Sequence, residues 1–372
     1  MMAPPWLQRA CAATIAWRIR ATHRPRRRLP LGIFKADRVG DLVLAQGAIA
    51  RLVRSVPAGG ATLITSDVAA HAATELFPDL PRITVTQRGI VRGLPLVWKS
   101  ADALLGLRFE RLVCLQHHRS ATQDLLLRAI EADWSAGCEN ARPDHGAIEA
   151  CAGGRAFDAT SPYPEYAGDL PRELEAHRRV VAAACGSEIP PSEILPHVDA
   201  AGTTARHLLL CPFASDPIRE YPAELLASAL RAAQSGAEMP IRIAGSPAEQ
   251  ERARALAARL AASGVRDVAL APTPSFRDYA AAVASAKLIL TMESGGAHLA
   301  TAMGKDTVVL LGGGHFGLLA PWSRSPRQTW LSNPLPCYGC DWKCTRPAVE
   351  CITGVRPDDV ARALRSLWND PA

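Results

Sequence analysis

The chain has 372 residues, too many for one ordinary hydrophobic core and suited to two domains of about 150 residues each. Hydrophobic residues make up 48% and charged residues 21%, which excludes a disordered chain, a fibrous protein and a disulfide mini-scaffold, and no run approaches the roughly 18 apolar residues of a spanning helix. The net charge of +6 is local: residues 1–30 hold Arg9, Arg18, Arg20, Arg24, Arg26, Arg27 and Arg28 with no acid, and without these seven, 35 bases stand against 36 acids.

A neutral body carries no basic stripe of the kind that binds nucleic acid, so no nucleic-acid partner is expected. The segment 1–30 reads as a basic N-terminal arm. It is a poor signal peptide, because the apolar run Ala10 to Trp17 is short and Arg18 follows at once. A solvated tail, a transit peptide and a contact with an anionic membrane surface all fit its composition.

From residue 31 the pattern alternates strand and helix. Leu31–Phe34 is a strand, followed by a loop and an amphipathic helix over Asp41–Ser55; Thr62–Thr65, Ile83–Thr86 and Leu112–Leu115 are further strands separated by helical patterns. Residues 141–169 are rich in Pro, Gly and turn formers, and Gly186–Thr204 again lacks periodicity; the domain junction is placed in this second stretch. The alternation restarts with strands His207–Cys211, Pro240–Gly245, Val268–Leu270, Leu288–Met292 and Thr307–Leu311. Helices open at Pro222 and Pro247, Phe276–Ala286 is helical, and a last helix runs from Pro357 to Trp368. The expected class is α/β: two Rossmann-like domains, 31–186 and 205–356, facing across a cleft, with the arm 1–30 before them and the C-terminal helix 357–372 after.

In such sheets ligands sit beyond the carboxyl ends of the strands, so the loops after the strands are the places to look. Lys35-Ala-Asp-Arg-Val-Gly-Asp41 follows the first strand; Asp41 either caps the next helix or accepts a proton from an acceptor hydroxyl. In Phe213–Pro222, Ser215 and Arg219 stand where a diphosphate at a helix N-terminus could be met. Thr291-Met-Glu-Ser-Gly-Gly-Ala-His298 ends a strand in Glu293 and Ser294, then glycines whose N–H groups can approach an anion, with His298 on the next helix. Gly312-Gly-Gly-His-Phe-Gly317 matches neither the P-loop nor the dinucleotide fingerprint.

These loops, with Ala244-Gly-Ser-Pro-Ala-Glu-Gln-Glu251, Met303-Gly-Lys-Asp306 and Leu311-Gly-Gly-Gly314, resemble glycosyltransferase family 9, the bacterial heptosyltransferases of the lipopolysaccharide core, over about residues 31–365. The resemblance implies a GT-B fold, with the acceptor bound mainly by the first domain and the donor by the second. It also implies inverting transfer from a nucleotide sugar, usually ADP-heptose, with no cofactor required. Asp41 then matches the general base. Ser215, Arg219, Glu249, Glu293, Ser294, Gly295 and His298 match the donor-binding set. Two positions depart from the family, which usually has Asp at Glu293 and Lys at Arg219, so the donor sugar is less determined than the reaction class. The expected acceptor is a glycolipid such as the lipopolysaccharide core, and the expected location is cytoplasmic, peripheral at the inner membrane face. Alternatives are a protein or other-glycan glycosyltransferase using another nucleotide sugar, a nucleotide-sugar epimerase, and a non-catalytic nucleotide-sugar-binding relative.

Ten cysteines are present. Six are scattered, a usage that suits a reducing compartment. Cys337, Cys340, Cys344 and Cys351 cluster within 15 residues. They can enclose a structural Zn or Fe, form two disulfides, or stay as four thiols. Cysteine-rich segments recur at this place in some relatives, including an iron-binding form.

Overall fold

In the computed structural model, which describes residues 4–21, 27–140, 156–200 and 205–370, two units each build a six-stranded sheet with helices packed against it. The first unit takes in the chain to Glu165 and resumes over Arg172–Pro196; the second holds Tyr166–Pro171 and the chain from His197 onward. Arg24, Arg26, Cys151, residues 141–155 of the turn-rich stretch and residues 201–204 lie outside the described residues.

The first sheet holds β1 (Arg27–Lys35), β2 (Ala61–Ser66), β3 (Arg82–Val85), β4 (Leu107–Cys114), β5 (Glu131–Cys138) and β6 (Ala159–Ser161), all parallel, in the order β3-β2-β1-β4-β5-β6. The second holds β7 (Ala205–Cys211), β8 (Ile241–Gly245), β9 (Val268–Pro272), β10 (Ala286–Met292), β11 (Asp306–Leu310) and β12 (Gln328–Leu331) in the equivalent order β12-β11-β10-β7-β8-β9, again all parallel. Their central strands are buried along most of their length, as continuous apolar runs covered on both faces should be. Each sheet therefore repeats the doubly wound Rossmann order, with its switch point between β1 and β4 or between β7 and β10. The α/β class and the two Rossmann-like units expected from the sequence are borne out.

Several expectations need correcting. Residues 5–21 are not a loose arm but a helix, α1 (Pro5–Ala21). Cys11, Ala12, Ile15 and Ala16 fall on one face at helical spacing and are buried against α5 (Leu94–Leu105) and α6 (Ala121–Arg128). Arg18 donates to Asp102 at 3.1 Å, and Arg28 lies in β1 and donates to Asp133 at 3.0 Å. Part of the basic segment is thus tied to the body, and β1 starts at Arg27 rather than Leu31. The single helix over 41–55 is two, α2 (Val39–Leu44) and α3 (Gln46–Val53), separated at Ala45. The C-terminal helix α13 (Pro357–Asn369) is part of the second core: Val360, Leu364 and Trp368 pack with Leu226 and Leu230 of α8 (Ala223–Ala233). Among the described residues, no helix is long and apolar enough to cross a membrane.

Candidate functional site

In the first unit the loop after β1 is fixed by side chains from three neighbouring elements. Gln116 accepts from the Ala36 N–H at 3.0 Å, and Gln87 and Gln123 each donate to the Ala36 carbonyl at 2.9 Å. Lys35, at the carboxyl end of β1, is fully buried. Its Nζ lies 2.9 Å from Glu173 Oε1 and 3.0 Å from Asp37 Oδ2, and donates to the Leu115 carbonyl at 3.2 Å. Burial alone would lower the Lys35 pKa, but the charges of Glu173, Asp37 and Asp41 outweigh it and raise it above the ordinary lysine value. The Asp37 carboxyl is pushed up to about 7, first by burial and then, against the pull of Lys35, by the neighbouring carboxylates of Asp41 and Glu173.

Asp41 lies in the first turn of α2, half-buried. The residue at the helix N-cap is Arg38, which makes no side-chain capping bond. The geometry therefore puts Asp41 at the strand end expected of it, within electrostatic reach of Lys35 and Asp37. Asp37 and Glu173 were not singled out from the sequence. Asp37 was inside the quoted motif, whereas Glu173 comes from α7 (Arg172–Cys185), far along the chain.

In the second unit the loops after β7 and β10 meet at the switch point. Arg219 pairs with Ser215 through a hydrogen bond, and its guanidinium lies 3.6 Å from Glu293 Oε2 and over the Trp342 ring at 5.9 Å. Glu293 is buried, and His315 Nδ1 lies 3.2 Å from its Oε2. Burial would raise the Glu293 pKa, but the hydrogen bond from His315 and the charges of His315 and Arg219 hold it below the usual carboxylate value. Glu293 thus stays an anion that orients two cationic or donor side chains.

Ser294 is the N-cap of α11 (Gly295–Ala302), its Oγ accepting from the Gly296 N–H at 3.3 Å. Gly296 has to lack a side chain, since a Cβ there would stand 2.1 Å from the Tyr279 hydroxyl. His298 is buried in α11, and its Nδ1 accepts from Trp322 Nε1 at 3.1 Å. Burial lowers its pKa to about 4, so the ring is neutral at pH 7 and its proton sits on Nε2. Glu249 serves a capping box: its Oε2 accepts from the Ser246 N–H at 2.8 Å and from the Ser246 hydroxyl at 2.7 Å. Ser215, Arg219, Glu293 and His298 thus fall in one cluster with His315, which the sequence reading quoted without assigning; Glu249 sits at the neighbouring strand end.

The glycine run after β11 has a local role. A Cβ on Gly312 or Gly314 would strike the Trp342 ring at 2.2 and 2.5 Å, and one on Gly313 would strike Tyr338 at 2.3 Å. These glycines let the cysteine-rich segment lie on the loop. Cys337, Cys340, Cys344 and Cys351 line one small cavity of about 10 Å³ there, and none is in a disulfide. Among the described residues no three of these sulfurs lie within 4.8 Å of one another; the one group of three metal-ligating side chains that does is His117, Glu173 and His177, all buried, in the first unit.

Comparison with known proteins bears out the resemblance read from the loops. Residues 185–345 match the sequence model of "Glycosyltransferase family 9 (heptosyltransferase)". Lipopolysaccharide heptosyltransferase 1 of Pseudomonas aeruginosa is 31% identical over 142 residues, a match covering 34% of this chain and 38% of that protein. The solved glycosyltransferase family 9 protein of Veillonella parvula superposes with a TM-score of 0.67 at 15% identity, over 94% of this chain and 99% of that one. The E. coli heptosyltransferase WaaC with ADP gives 0.63 at 16% identity, over 92% and 100%. At these identities the superpositions establish the fold.

Proposed function

We propose that this chain, a relative of the glycosyltransferase family 9 heptosyltransferases, is itself a glycosyltransferase that moves a sugar from a nucleotide sugar, with ADP-heptose the favoured donor, onto a glycolipid acceptor of the lipopolysaccharide core kind. The observation that carries this is the meeting of Ser215 and Arg219 from one strand end with Glu293 and the N-terminus of α11 from the next. A guanidinium and the positive end of a helix dipole are what a departing diphosphate requires as negative charge builds on it. A buried carboxylate holds that guanidinium in position before the donor arrives.

In this reading Arg219, Ser215 and the Gly295 backbone meet the diphosphate, and Glu293 and His298 face the sugar and phosphate. Glu249 stands by the nucleoside, and Ser294 keeps the helix end in place. The neutral His298 offers its Nε2–H as a donor without adding charge. Asp41 takes the proton from the acceptor hydroxyl as that oxygen bonds the anomeric carbon and the bond to the diphosphate breaks on the opposite face, a single displacement that inverts the centre and needs no cofactor. Lys35, paired with Asp37 and Glu173, orients the same loop.

Two accessory roles complete the proposal. Trp6 and Trp17 on α1 are 69% and 60% exposed. Eleven residues apart, they share a face with Arg9 and Arg20, and a helix face of that kind suits the headgroup level of an anionic membrane. In this reading the enzyme works at the inner membrane face. The four clustered cysteines line one cavity, and a structural zinc or iron there would draw their sulfurs together from their present spacing and stiffen the segment against the glycine loop.

Asp41→Asn tests the base. Turnover should fall by about 10² to 10⁴ while donor affinity is kept. Near-wild-type turnover would remove Asp41 from the mechanism.

A further inference from the structure

The first unit contains a group of side chains that sugar transfer does not use. His117 stands in the loop after β4, at the switch point of its sheet, while Glu173 and His177 lie one turn apart on the same face of α7. All three are buried, His117 and His177 completely, and one ligand atom from each lies within 4.8 Å of the others. Neither nitrogen of His117 has a hydrogen-bond partner, nor does Oε2 of Glu173 or Nδ1 of His177. Four unpartnered polar atoms of three residues in one buried place are unusual, because each leaves desolvation uncompensated.

The surrounding contacts are those of an outer shell. His177 Nε2 lies 3.1 Å from the Leu115 carbonyl and 3.5 Å from Glu173 Oε1, which Lys35 holds at 2.9 Å, while Glu173 Oε2 and His177 Nδ1 are left without a partner. Lys35 and Arg119 oppose a further positive charge at His117, and Glu173, with Asp37 and Asp41 beyond it, supplies the negative charge that favours one.

We infer that His117, Glu173 and His177 form a binding site for a divalent transition-metal ion, of the two-histidine, one-carboxylate type that takes zinc, iron(II) or cobalt(II). Ligand atoms around an ion at bonds of 2.0–2.2 Å stand about 3.4 Å apart, a spacing that side chains already within 4.8 Å of one another reach by small rotations. The inference does not depend on the sugar-transfer reading, and it concerns a place in the fold separate from the cysteine segment.

The experiment uses the full chain with Cys337, Cys340, Cys344 and Cys351 changed to serine, so that metal content reports this site alone. After titration with zinc and dialysis, one equivalent per chain is expected by elemental analysis. His117→Leu should weaken zinc binding at least about 100-fold against a competing indicator. Because His117 makes no hydrogen bond, the metal-free melting temperature should hardly change. Excess zinc should raise the melting temperature of the chain with His117 and not of the variant. If the serine background fails to fold, cobalt(II) added to the unaltered chain separates the two places, since a nitrogen and oxygen site gives d–d bands without sulfur-to-cobalt charge transfer, and these bands should vanish in His117→Leu. Absence of a stoichiometric ion, or equal binding with Leu at 117, overturns the inference.

Discussion

Replacing His298 with Gln should remove a defined part of the pH dependence of stability. In the fold His298 is 2% exposed, and its Nδ1 accepts the Trp322 indole N–H at 3.1 Å. Protonation would put a donor against a donor in a site with little water. Burial is the main cause of the lowered pKa, to about 4 from an ordinary 6.5. Between these values the unfolded chain binds the proton and the folded chain does not. Stability is therefore fully present above pH 6.5 and is lost as pH falls toward 4. The whole interval corresponds to about 3 kcal/mol, with a slope approaching 1.4 kcal/mol per pH unit in its middle. Gln can still accept from Trp322 but does not titrate. Urea unfolding of the second unit's transition at pH 7.5, 6.0, 5.0 and 4.5 reads the difference. The variant should lose about 1 kcal/mol at pH 7.5 and converge on, or overtake, the wild type at pH 4.5. Parallel pH profiles for the two proteins would refute the argument that His298 is held neutral.

Other outcomes follow from the same structure. Gly296→Ala should destabilise by about 1–3 kcal/mol by urea denaturation, because its Cβ meets the Tyr279 hydroxyl; a change below 0.5 kcal/mol by the same order-of-magnitude reckoning would mean that the Tyr279 side chain yields freely. Trp6→Ala with Trp17→Ala should lower partitioning onto anionic vesicles by at least about tenfold, a loss of only about 1.4 kcal/mol against the 1.5–3 kcal/mol carried by one well-buried aromatic, and should leave the melting temperature in place. Unchanged partitioning would end the membrane reading of α1. Arg219→Lys should retain more donor affinity than Arg219→Ala in calorimetric titration, since the ammonium keeps the charge while losing the two-oxygen grip. Equal loss in both would mean that geometry outweighs charge at this position.

The strands that carry the site were legible because parallel strands buried on both faces write themselves as short apolar runs, as in Leu208–Cys211 and Leu288–Met292. The loops after them were legible for a related reason: chemistry in this fold gathers at strand ends. Elements with mixed patterns were harder. β5 reads Glu-Ala-Asp-Trp-Ser-Ala-Gly-Cys and lies near the sheet edge, so only its last half is buried. α1 was masked by its arginines, although Cys11, Ala12, Ile15 and Ala16 carry its helical period. Contacts made by residues distant in sequence were out of reach. Nothing local marks Glu173 as the partner of Lys35, 138 positions away, or Trp322 as the donor to His298. The glycine run after β11 stood out in the sequence without a purpose, because the Tyr338 and Trp342 rings that require it come from the cysteine-rich segment.

Donor selectivity tests the central proposal most directly. In a thermal-shift comparison of ADP-heptose, ADP, UDP-sugars and GDP-sugars, a ligand at 100 times its dissociation constant adds about 2.7 kcal/mol of stability, a readable change. The account predicts the largest shift with ADP-heptose, a smaller one with ADP, and loss of both in Arg219→Ala. No shift with any nucleotide sugar, or a shift indifferent to Arg219, would contradict it.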